Sequence, residues 1–355
     1  MGIETLTRGA KRSYEQYHAL EMNGIDKLLF KTPDIDTSAA FMVDKLLATP
    51  AGIRYRDVNN ESAVRVYQPG SGTIYEVPRA SEKTPIPEDL KDSAVSGLEP
   101  TASQATHLMK LMDGITKQHV GGYHMTKWKQ ALDVYFYSKF YAKGTGGVDL
   151  GLGIDYERAA ANELTHDFSG TDTIAIAFKE MQDQLIAQGS DLNNMVVLAG
   201  TDWLNEFATD TGVIAYQTTN PVNELLLQDL APKELSSTTG TRIVASYRSP
   251  DMLAPVMIVA FQPSTSYIAY PGASAAPWIT ATKAVMFSLN METFNVTRGV
   301  VAFNDSGKSE KVAADIVFDT FTDNDPIVDY VRSQTRHIFV PANINHTVMS
   351  DGTFS

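Results

Sequence analysis

The sequence contains no cysteine, which excludes disulfide bonds, thiolate metal sites and cysteine nucleophiles. It also has no apolar run near the roughly 18 residues that suggest a membrane-spanning helix, and its first residues lack the apolar centre of a signal peptide. We therefore expect a protein made and kept in a cytosol-like compartment, stabilised by packing, with no membrane partner.

Recognisable catalytic signatures are missing as well. His119 and His124 are five positions apart, and none of the seven histidines has the spacing of a metal-binding helix motif. The segment PGASAAP (271–277) lacks the second glycine of a serine-hydrolase elbow. The glycine-rich GTGGVDLGLG (144–153) lacks the Lys-Ser/Thr pair of a phosphate-binding loop. We predict no catalytic residue, no metal and no cofactor.

Positive charge is scarce. Lys and Arg number 29 against 42 Asp and Glu, which gives a formal net charge of −13. Binding to nucleic acid over the whole surface is therefore not expected, because it requires cations that displace the counterions of the phosphates. A local basic patch at Arg8, Lys11 and Arg12 could face nucleic acid, but a solvated chain end is the preferred interpretation.

One acidic run invites a calcium interpretation. In FDTFTDNDP, Asp319, Asp323 and Asp325 could offer oxygen ligands, yet the glycine and terminal glutamate of an EF-hand loop are absent. Because Asp and Asn favour turns through their own hydrogen bonds, an acidic turn is the preferred interpretation.

What the sequence does contain is enough folded material for two or three domains. It has 355 residues, of which 43% are hydrophobic and 20% charged, and these values are close to those of globular proteins. Residues 1–48 are predicted to form an N-terminal arm, in which SYEQYHAL and AAFMVDKLL have helical spacing. Between them lies the polar, proline-containing KTPDIDTS.

Residues 49–100 are predicted to form an extended loop. In VRVYQPGSGTIYEVP (64–78), two short β-prone runs flank a Pro-Gly-Ser-Gly turn. Prolines 78, 85, 87 and 100 keep the following stretch from being a central strand or a helix. An isolated two-stranded ribbon is marginally stable in water, so we expect this loop to need a partner.

Residues 101–154 are predicted to form a peripheral domain built on a long spine helix from Thr101 to about Lys143. One apolar stripe contains Leu108, Leu111, Met112 and Ile115, and a second, aromatic-rich stripe contains Leu132, Tyr135, Phe136 and Phe140. Glycines 114, 121 and 122 are expected to bend or interrupt the helix between the two stripes. The aromatic stripe could stack bases, but it is far more typical of core. We predict a hinge at Gly144, Gly146 and Gly147.

Residues 155–300 alternate between helix and strand and are predicted to be an α/β axial domain. The helices are expected at 171–188 and 201–210, and the strands in NMVVLAG, TRIVASY, PVMIVAF, TSYIAY and KAVMFSL. Residues 301–355 return to β-prone alternation. This tail is too short for a domain of its own, so we expect it to pair with earlier elements such as the spine and the loop.

This order of arm, extended loop, spine helix, inserted α/β domain and returning strands resembles the major capsid proteins of tailed bacteriophages, the Hong Kong 97 fold, and within it the lambda type. The resemblance is carried by AGIRYRDVNNESAVRVYQPGSGTIYEVPRASEKTPIP, by Thr101–Lys143 and by the stretch from NMVVLAGTDWLNEFATD to KAVMFSLNMETFNVTRG. It implies an α+β fold and a structural, non-enzymatic protein of the virion that is assembled in the host cytoplasm.

The resemblance also implies partners. Hexamers and pentamers of the chain would form an icosahedral shell that holds DNA by enclosure and weak contact, with a separate scaffolding protein, a portal and in some cases a decoration protein. The extended loop would lie over a neighbouring subunit, so its implied contact residues are Tyr67, Gln68, Pro69, Gly70, Ser71, Gly72, Tyr75 and Arg79. Arg8, Lys11 and Arg12 would face inward.

Some members of this family cross-link a loop lysine to an asparagine. Lys83 or Lys91 and Asn343 or Asn345 have the required residue types, but no pattern selects a pair, and we predict no cross-link. Two alternatives stay open from the sequence: a shell of the encapsulin type, which encloses cargo enzymes, and an acidic α/β enzyme with a lid-like extension.

Overall fold

The computed structural model describes residues 25–38, 40–44, 72–86, 102–142, 153–213, 241–263, 266–269, 272–303, 308–324 and 327–354. Several predicted site residues lie outside these ranges. They are the basic arm residues Arg8, Lys11 and Arg12, the loop residues Tyr67, Gln68, Pro69, Gly70 and Ser71, and the hinge glycines Gly144, Gly146 and Gly147.

The described residues contain four α-helices and seventeen strands. The helices are α1 Ile25–Leu29, α2 Ala102–Tyr137, α3 Ile174–Ala187 and α4 Thr201–Thr209. The strands are β1 Thr32–Asp36, β2 Ala40–Asp44, β3 Gly72–Glu76, β4 Arg79–Pro85, β5 Lys139–Phe140, β6 Ile154–Asp155, β7 Glu163–Asp167, β8 Met195–Ala199, β9 Thr241–Tyr247, β10 Val256–Phe261, β11 Lys283–Ser288, β12 Thr293–Arg298, β13 Val300–Phe303, β14 Ser309–Val312, β15 Val317–Asn324, β16 Ile327–Pro341 and β17 Thr347–Thr353. None of the described helices is both long and apolar enough to cross a membrane.

The spine helix α2 is one continuous helix of 36 residues. At 1.5 Å per residue it is about 54 Å long. The prediction that its glycines interrupt it is wrong, because a helical glycine costs only about 1 kcal/mol and the packing of α2 offsets that cost. The helix ends at Tyr137 and is followed by Ser138, whose φ of 52° lies in the left-handed region. The prediction that the aromatic stripe is core is confirmed, since Tyr135, Phe136 and Phe140 are buried.

A six-stranded sheet in the order β7-β17-β11-β8-β10-β9 lies between α2 and the helix pair α3 and α4. Successive residues of β8 alternate between the two sides: Val196 packs in the cluster that contains α2, and Val197 packs with α3 and α4. The predicted helices and most predicted strands of this region are confirmed. The exception is TSYIAY, whose described residues 266–269 form a single bridge, between Tyr267 and Ala276, in place of a strand.

A second sheet contains β1, β12, β16 and β15, with β4 also paired to β16. The long strand β16 pairs with β15 along Ile327–Gln334, with β4 along Tyr330–Arg336 and with β12 along His337–Pro341. The expected pairing of the tail with the extended loop is therefore confirmed.

The predicted boundary between the axial domain and the tail, at residue 300, does not coincide with the division of the strands between the two sheets. Strand β12, from the predicted axial range, pairs with β16 of the tail. Strand β17, from the tail, lies between β7 and β11 in the six-stranded sheet. The reason is that strand pairing is decided by long-range hydrogen bonding, which a change in sequence character along the chain does not reveal.

The arm differs from its prediction too. AAFMVDKLL was expected to be helical, but Ala40–Asp44 forms β2, which pairs antiparallel with β3 of the extended loop. Helix α1 is buried, with Ile25, Leu28 and Leu29 in the main hydrophobic core, and β1 pairs parallel with β12. The other predicted arm helix, SYEQYHAL, lies outside the described residues.

A pair of glycine substitutions tests this packing. A Cβ on Gly200, between β8 and α4, would lie 2.3 Å from the carbonyl oxygen of Thr280, whereas a Cβ on Gly122 of α2 meets no atom within 4 Å. We expect Gly200→Ala to lower the free energy of unfolding by about 3 kcal/mol, since backbone must move, and Gly122→Ala to raise it by about 0.5–1 kcal/mol. Urea unfolding of the unassembled chain measures both, and equal effects would contradict this packing.

Candidate assembly surface

Three of the implied contact residues of the extended loop lie within the described residues. Gly72 and Tyr75 are on β3, where Gly72 is paired with Asp44 and Tyr75 with Phe41 of β2. Arg79 begins β4. Because Asp44 and Gly72 are partners in the β2–β3 ladder, the intervening segment 45–71 leaves and re-enters the structure at one place.

The β2–β3 ladder is a two-stranded sheet. No further described strand pairs with it. Its sequences, AFMVD and GTIYE, are mostly apolar. Because a two-stranded sheet is marginally stable on its own in water, this ladder is expected to gain stability from another surface.

The base of the loop is anchored at both ends of β4. Before the strand, Val77 is buried and its carbonyl oxygen accepts a hydrogen bond of 2.6 Å from Nε of Arg336. After the strand, Ile86 is buried in the cluster at the N-terminal half of α2, and its N–H donates to the carbonyl of Asp329 at 2.8 Å. The base of the loop is therefore a fixed part of the subunit.

Strand β4 has two different faces. On the inner face, the Thr84 hydroxyl is 2.8 Å from Nε2 of His119 on α2. Burial lowers the pKa of His119, and Glu82 partly opposes this shift. On the outer face, the ammonium of Lys83 lies 4.5 Å from the ring centre of Tyr330, within the range of a cation–π contact.

Behind β4, the prediction of an acidic turn is wrong for Asp319. This residue lies within β15, is completely buried, and accepts a hydrogen bond of 2.8 Å from Nε of Arg332 as well as one from its Nη2. Its carboxylate is thus committed to an ion pair inside the sheet. Among the described residues, no three His, Cys, Asp or Glu side chains are grouped so that they could hold a metal ion.

The asparagines considered for a cross-link also have structural partners. Oδ1 of Asn345 accepts a hydrogen bond of 2.8 Å from the N–H of Ala159, and Oδ1 of Asn343 accepts one of 3.1 Å from the N–H of Asn345. These bonds hold the turn that precedes β17. The absence of a cross-link stays a prediction.

A buried ionic cluster joins the arm to the spine. Lys127 of α2 has a side chain only 2% exposed, and its Nζ lies 3.5 Å from Oδ2 of Asp26 on α1 and 3.6 Å from Oδ2 of Asp315. Burial alone would lower the pKa of Lys127, but Tyr123, Asp26 and Asp315 together raise it above its usual value. Sequence reasoning missed this cluster, although Lys127 falls in register with the buried face of α2.

His337 of β16 is buried next to this cluster. Its Nε2 is 2.8 Å from Oε1 of Gln130, and its Nδ1 is 3.2 Å from the hydroxyl of Thr335. Burial, followed by the nearby charge of Lys127 and opposed by Asp315, lowers the pKa of His337 to about 3. The imidazole is therefore neutral in the folded protein at neutral pH.

This shift predicts acid sensitivity. Between pH 6.5 and about 3 the unfolded chain binds a proton at His337 that the folded chain does not, so stability falls as the pH is lowered through this range. The slope from this residue is at most about 1.4 kcal/mol per pH unit. We expect His337→Gln to flatten the pH dependence of urea unfolding between pH 6.5 and 4.5. An unchanged slope would show that His337 is not buried in its neutral form.

A cleft of about 220 Å³ lies beside the N-terminus of α4. Its lining is Ala199, Gly200, Thr201, Phe261, Gln262, Pro263, Ser266, Ala276, Pro277, Trp278 and Ile279. None of these side chains is an ionisable acid or base near neutral pH. The cleft therefore lacks the groups that general acid–base catalysis requires.

Comparison with solved structures identifies the fold. The chain matches the protein assigned as the capsid protein of an E. coli CFT073 prophage, with a TM-score of 0.64 and 14% identity over 98% of this chain and 99% of that one. This is the Hong Kong 97 capsid fold. The predicted α+β class and the resemblance to phage capsid proteins are confirmed at the level of fold.

Other solved structures match more weakly. The alignment with a protein of Gordonia phage Cozz covers 94% of this chain and 87% of that one, at 11% identity and a TM-score of 0.47. The alignment with the SrpI encapsulin of Synechococcus elongatus PCC 7942 covers 90% of this chain and 84% of that one, at 8% identity and a TM-score of 0.36. Neither score bears on the fold, which rests on the first match. No protein-family model matches the sequence, and no curated protein matches it significantly.

Proposed function

We propose that this protein is the major capsid protein of a tailed bacteriophage or prophage, and that many copies form the closed head shell around the genome. The observation that carries the proposal is the near-complete overlap with the prophage capsid protein, 98% of one chain and 99% of the other. Spine, α/β region, returning strands and loop base are all included in that overlap. No large segment is left over for another activity.

The extended loop supports the same function. The segment 45–71 starts and ends at the Asp44–Gly72 pair, and its 27 residues, folded back on themselves, have a reach of about 40 Å at roughly 3.3 Å per residue. That reach is sufficient to lie over an adjacent subunit. Contact in trans would cover the two-stranded β2–β3 ladder and leave the rigid base of β4 to set the direction of the loop.

The role is structural and requires no catalysis. The described cleft beside α4 has no ionisable lining, and the buried carboxylates Asp26 and Asp319 are paired with Lys127 and Arg332. In a closed symmetric assembly, the many modest contacts that each subunit makes together stabilise the shell. A net charge of −13 fits a shell that retains DNA by enclosure, because enclosure needs few phosphate contacts.

The further partners follow from that role. A scaffolding protein, a portal, and in some cases a decoration protein would act with the shell, and assembly would take place in the host cytoplasm before the protein becomes part of the virion. The arm residues Arg8, Lys11 and Arg12 are proposed to face the genome, and Gly144, Gly146 and Gly147 to form the hinge between spine and axial domain.

The test is to express the full chain and examine the purified material by sedimentation velocity and negative-stain electron microscopy. Closed shells, or rings of five and six subunits, are expected. A monomer that persists across salt concentrations and crowding agents would contradict the capsid function. Co-expression with the neighbouring genes, followed by nuclease digestion, separates the two kinds of shell: protected DNA indicates a phage head, and protein cargo indicates an encapsulin.

A further inference from the structure

Charge is distributed unevenly over the sheet formed by β4, β16 and β15. Directly opposed residues of antiparallel strands point to the same face, and the register places Lys83 opposite Arg332 and Arg79 opposite Arg336. Asp319 is opposite Arg332 on the other side. We call this side the basic sheet face; by register its charged and aromatic residues are Arg79, Lys83, Arg332, Arg336, Asp319, Asp323, Phe321 and Tyr330.

The basic sheet face points away from the spine helix. The opposite face carries Phe318 and Val331, which are buried in the same cluster as Met112 and Ile115 of α2. By register the basic face has four cations and the two carboxylates of Asp319 and Asp323, a local charge of +2, on a chain whose overall charge is −13. The contacts of this sheet with the apolar residues of α2 are on its other side.

The cations of this face are not all equally available. Arg332 is paired with Asp319, and Arg336 donates to the Val77 carbonyl and lies 3.8 Å from Oε1 of Glu76. Arg79 and Lys83 are exposed, and neither forms an ion pair with any residue that the structure describes. Within the described part of the chain, Arg79 donates to the neutral amide of Gln334, and Lys83 lies over the ring of Tyr330. These two cations form the part of the face that is open to a partner.

The complementary charge is found in the α/β region of the same chain. Residues 153–213 contain eleven acidic and two basic residues, a net charge of −9. The outer side of α3 carries Glu180 and Asp183, whose side chains are 55% and 51% exposed; Asp183 also pairs with Lys179 of the same helix, and Oε2 of Glu180 lies 3.2 Å from Nε2 of His166. Ile176 and Ile186 on the same helix are also exposed, at 41% and 40%. A helix with carboxylates and exposed aliphatic groups matches a face with cations and half-buried aromatic rings.

Building on the capsid function proposed above, we propose that the basic sheet face of one copy docks on the exposed side of α3 in a neighbouring copy. The two surfaces are different, so the contact is head-to-tail, and repeated head-to-tail contacts generate rings when the rotation closes. Complementary charge at such a contact chiefly sets orientation and the rate of association. It would therefore fix which way round the subunits meet.

Charge reversal and charge exchange test this contact. The reversal variant is Arg79→Glu/Lys83→Glu, and the exchange variant adds Glu180→Lys/Asp183→Lys. The matched control is Lys110→Glu/Lys117→Glu, which makes the same change in net charge on exposed positions of α2. All positions are on the surface, so thermal unfolding followed by circular dichroism is expected to stay within a few degrees of the natural chain.

The readouts are the assembled fraction in sedimentation velocity and the self-association constant of unassembled chains in sedimentation equilibrium at low salt. We expect the reversal to lower both by tenfold or more, the exchange to restore both, and the control to leave both unchanged. Reversal without effect, or exchange without restoration, would overturn the docking contact.

Two further outcomes separate this contact from its alternatives. Shells from the reversal variant that form normally but enclose less DNA would assign the basic sheet face to nucleic acid and overturn the contact with α3. If the natural chain makes no shells, the capsid function fails, but the equilibrium measurement still decides the contact: charge-dependent self-association supports it, and none overturns it.

Discussion

Replacement of residues 45–71 by the dipeptide Asn-Gly is expected to abolish shell formation while the subunit stays folded. Asp44 and Gly72 are paired in an antiparallel ladder, and Asn-Gly is the preferred two-residue connection for such a pair. The replacement therefore removes the part of the loop that would reach a neighbour and keeps β2, β3 and β4. A deletion that extended into β4 would instead damage the sheet through its pairing with β16.

The measurements are the sedimentation profile for assembly, and circular dichroism with urea unfolding for the fold. We expect loss of the fast-sedimenting species with a free energy of unfolding within about 1 kcal/mol of the natural chain, since surface changes away from packed features have small effects. Shells that form at the normal yield would contradict the role of the loop in trans. A chain that fails to fold would show that residues 45–71 stabilise their own subunit.

Substitution of Lys127 by alanine is expected to lower the free energy of unfolding by about 3–5 kcal/mol. The change leaves the carboxylate of Asp26, with a side chain 4% exposed, buried without its cation. It also releases α1, and therefore the arm, from the middle of the spine. Urea unfolding of the unassembled chain at neutral pH measures the loss.

Two variants make this expectation specific. Lys179→Ala removes the cation of a surface ion pair with Asp183, in which the two side chains are 45% and 51% exposed. We expect it to lower the free energy of unfolding by less than about 1 kcal/mol. Lys127→Met combined with Asp26→Leu removes both charges and is expected to recover most of the stability, because well-packed apolar groups can replace a buried ion pair. If Lys127→Ala costs no more than Lys179→Ala, the buried cluster does not hold the arm.

Local pattern was sufficient for the elements whose own residues determine them. Helix α3 has a clear apolar face and ends at Gly189, whose φ of 73° suits a glycine. Strand β8 is a short run of buried aliphatic residues, all the more recognisable because glycine follows it. The spine helix α2 is predictable for the same reason, and its glycines do not interrupt it.

Long-range pairing limited the rest. Ala40–Asp44 has helical spacing, but the hydrogen bonds offered by Gly72–Glu76 make it a strand, and no local pattern reports that partner. The ion pairs of Lys127 join residues about 100 and 190 positions apart, so composition could not reveal them. The basic sheet face likewise becomes visible only when the register of β4 against β16 is known.

In an assembled shell, the extended loop of each subunit is expected to be stabilised by contact with another subunit. The most direct test is a cryo-electron microscopy map of assembled particles in which residues 45–71 are traced from Asp44 to Gly72. The capsid account predicts that this segment lies on an adjacent subunit and covers part of it. A trace in which residues 45–71 fold back on their own α/β region, with no contact to a neighbour, would contradict it.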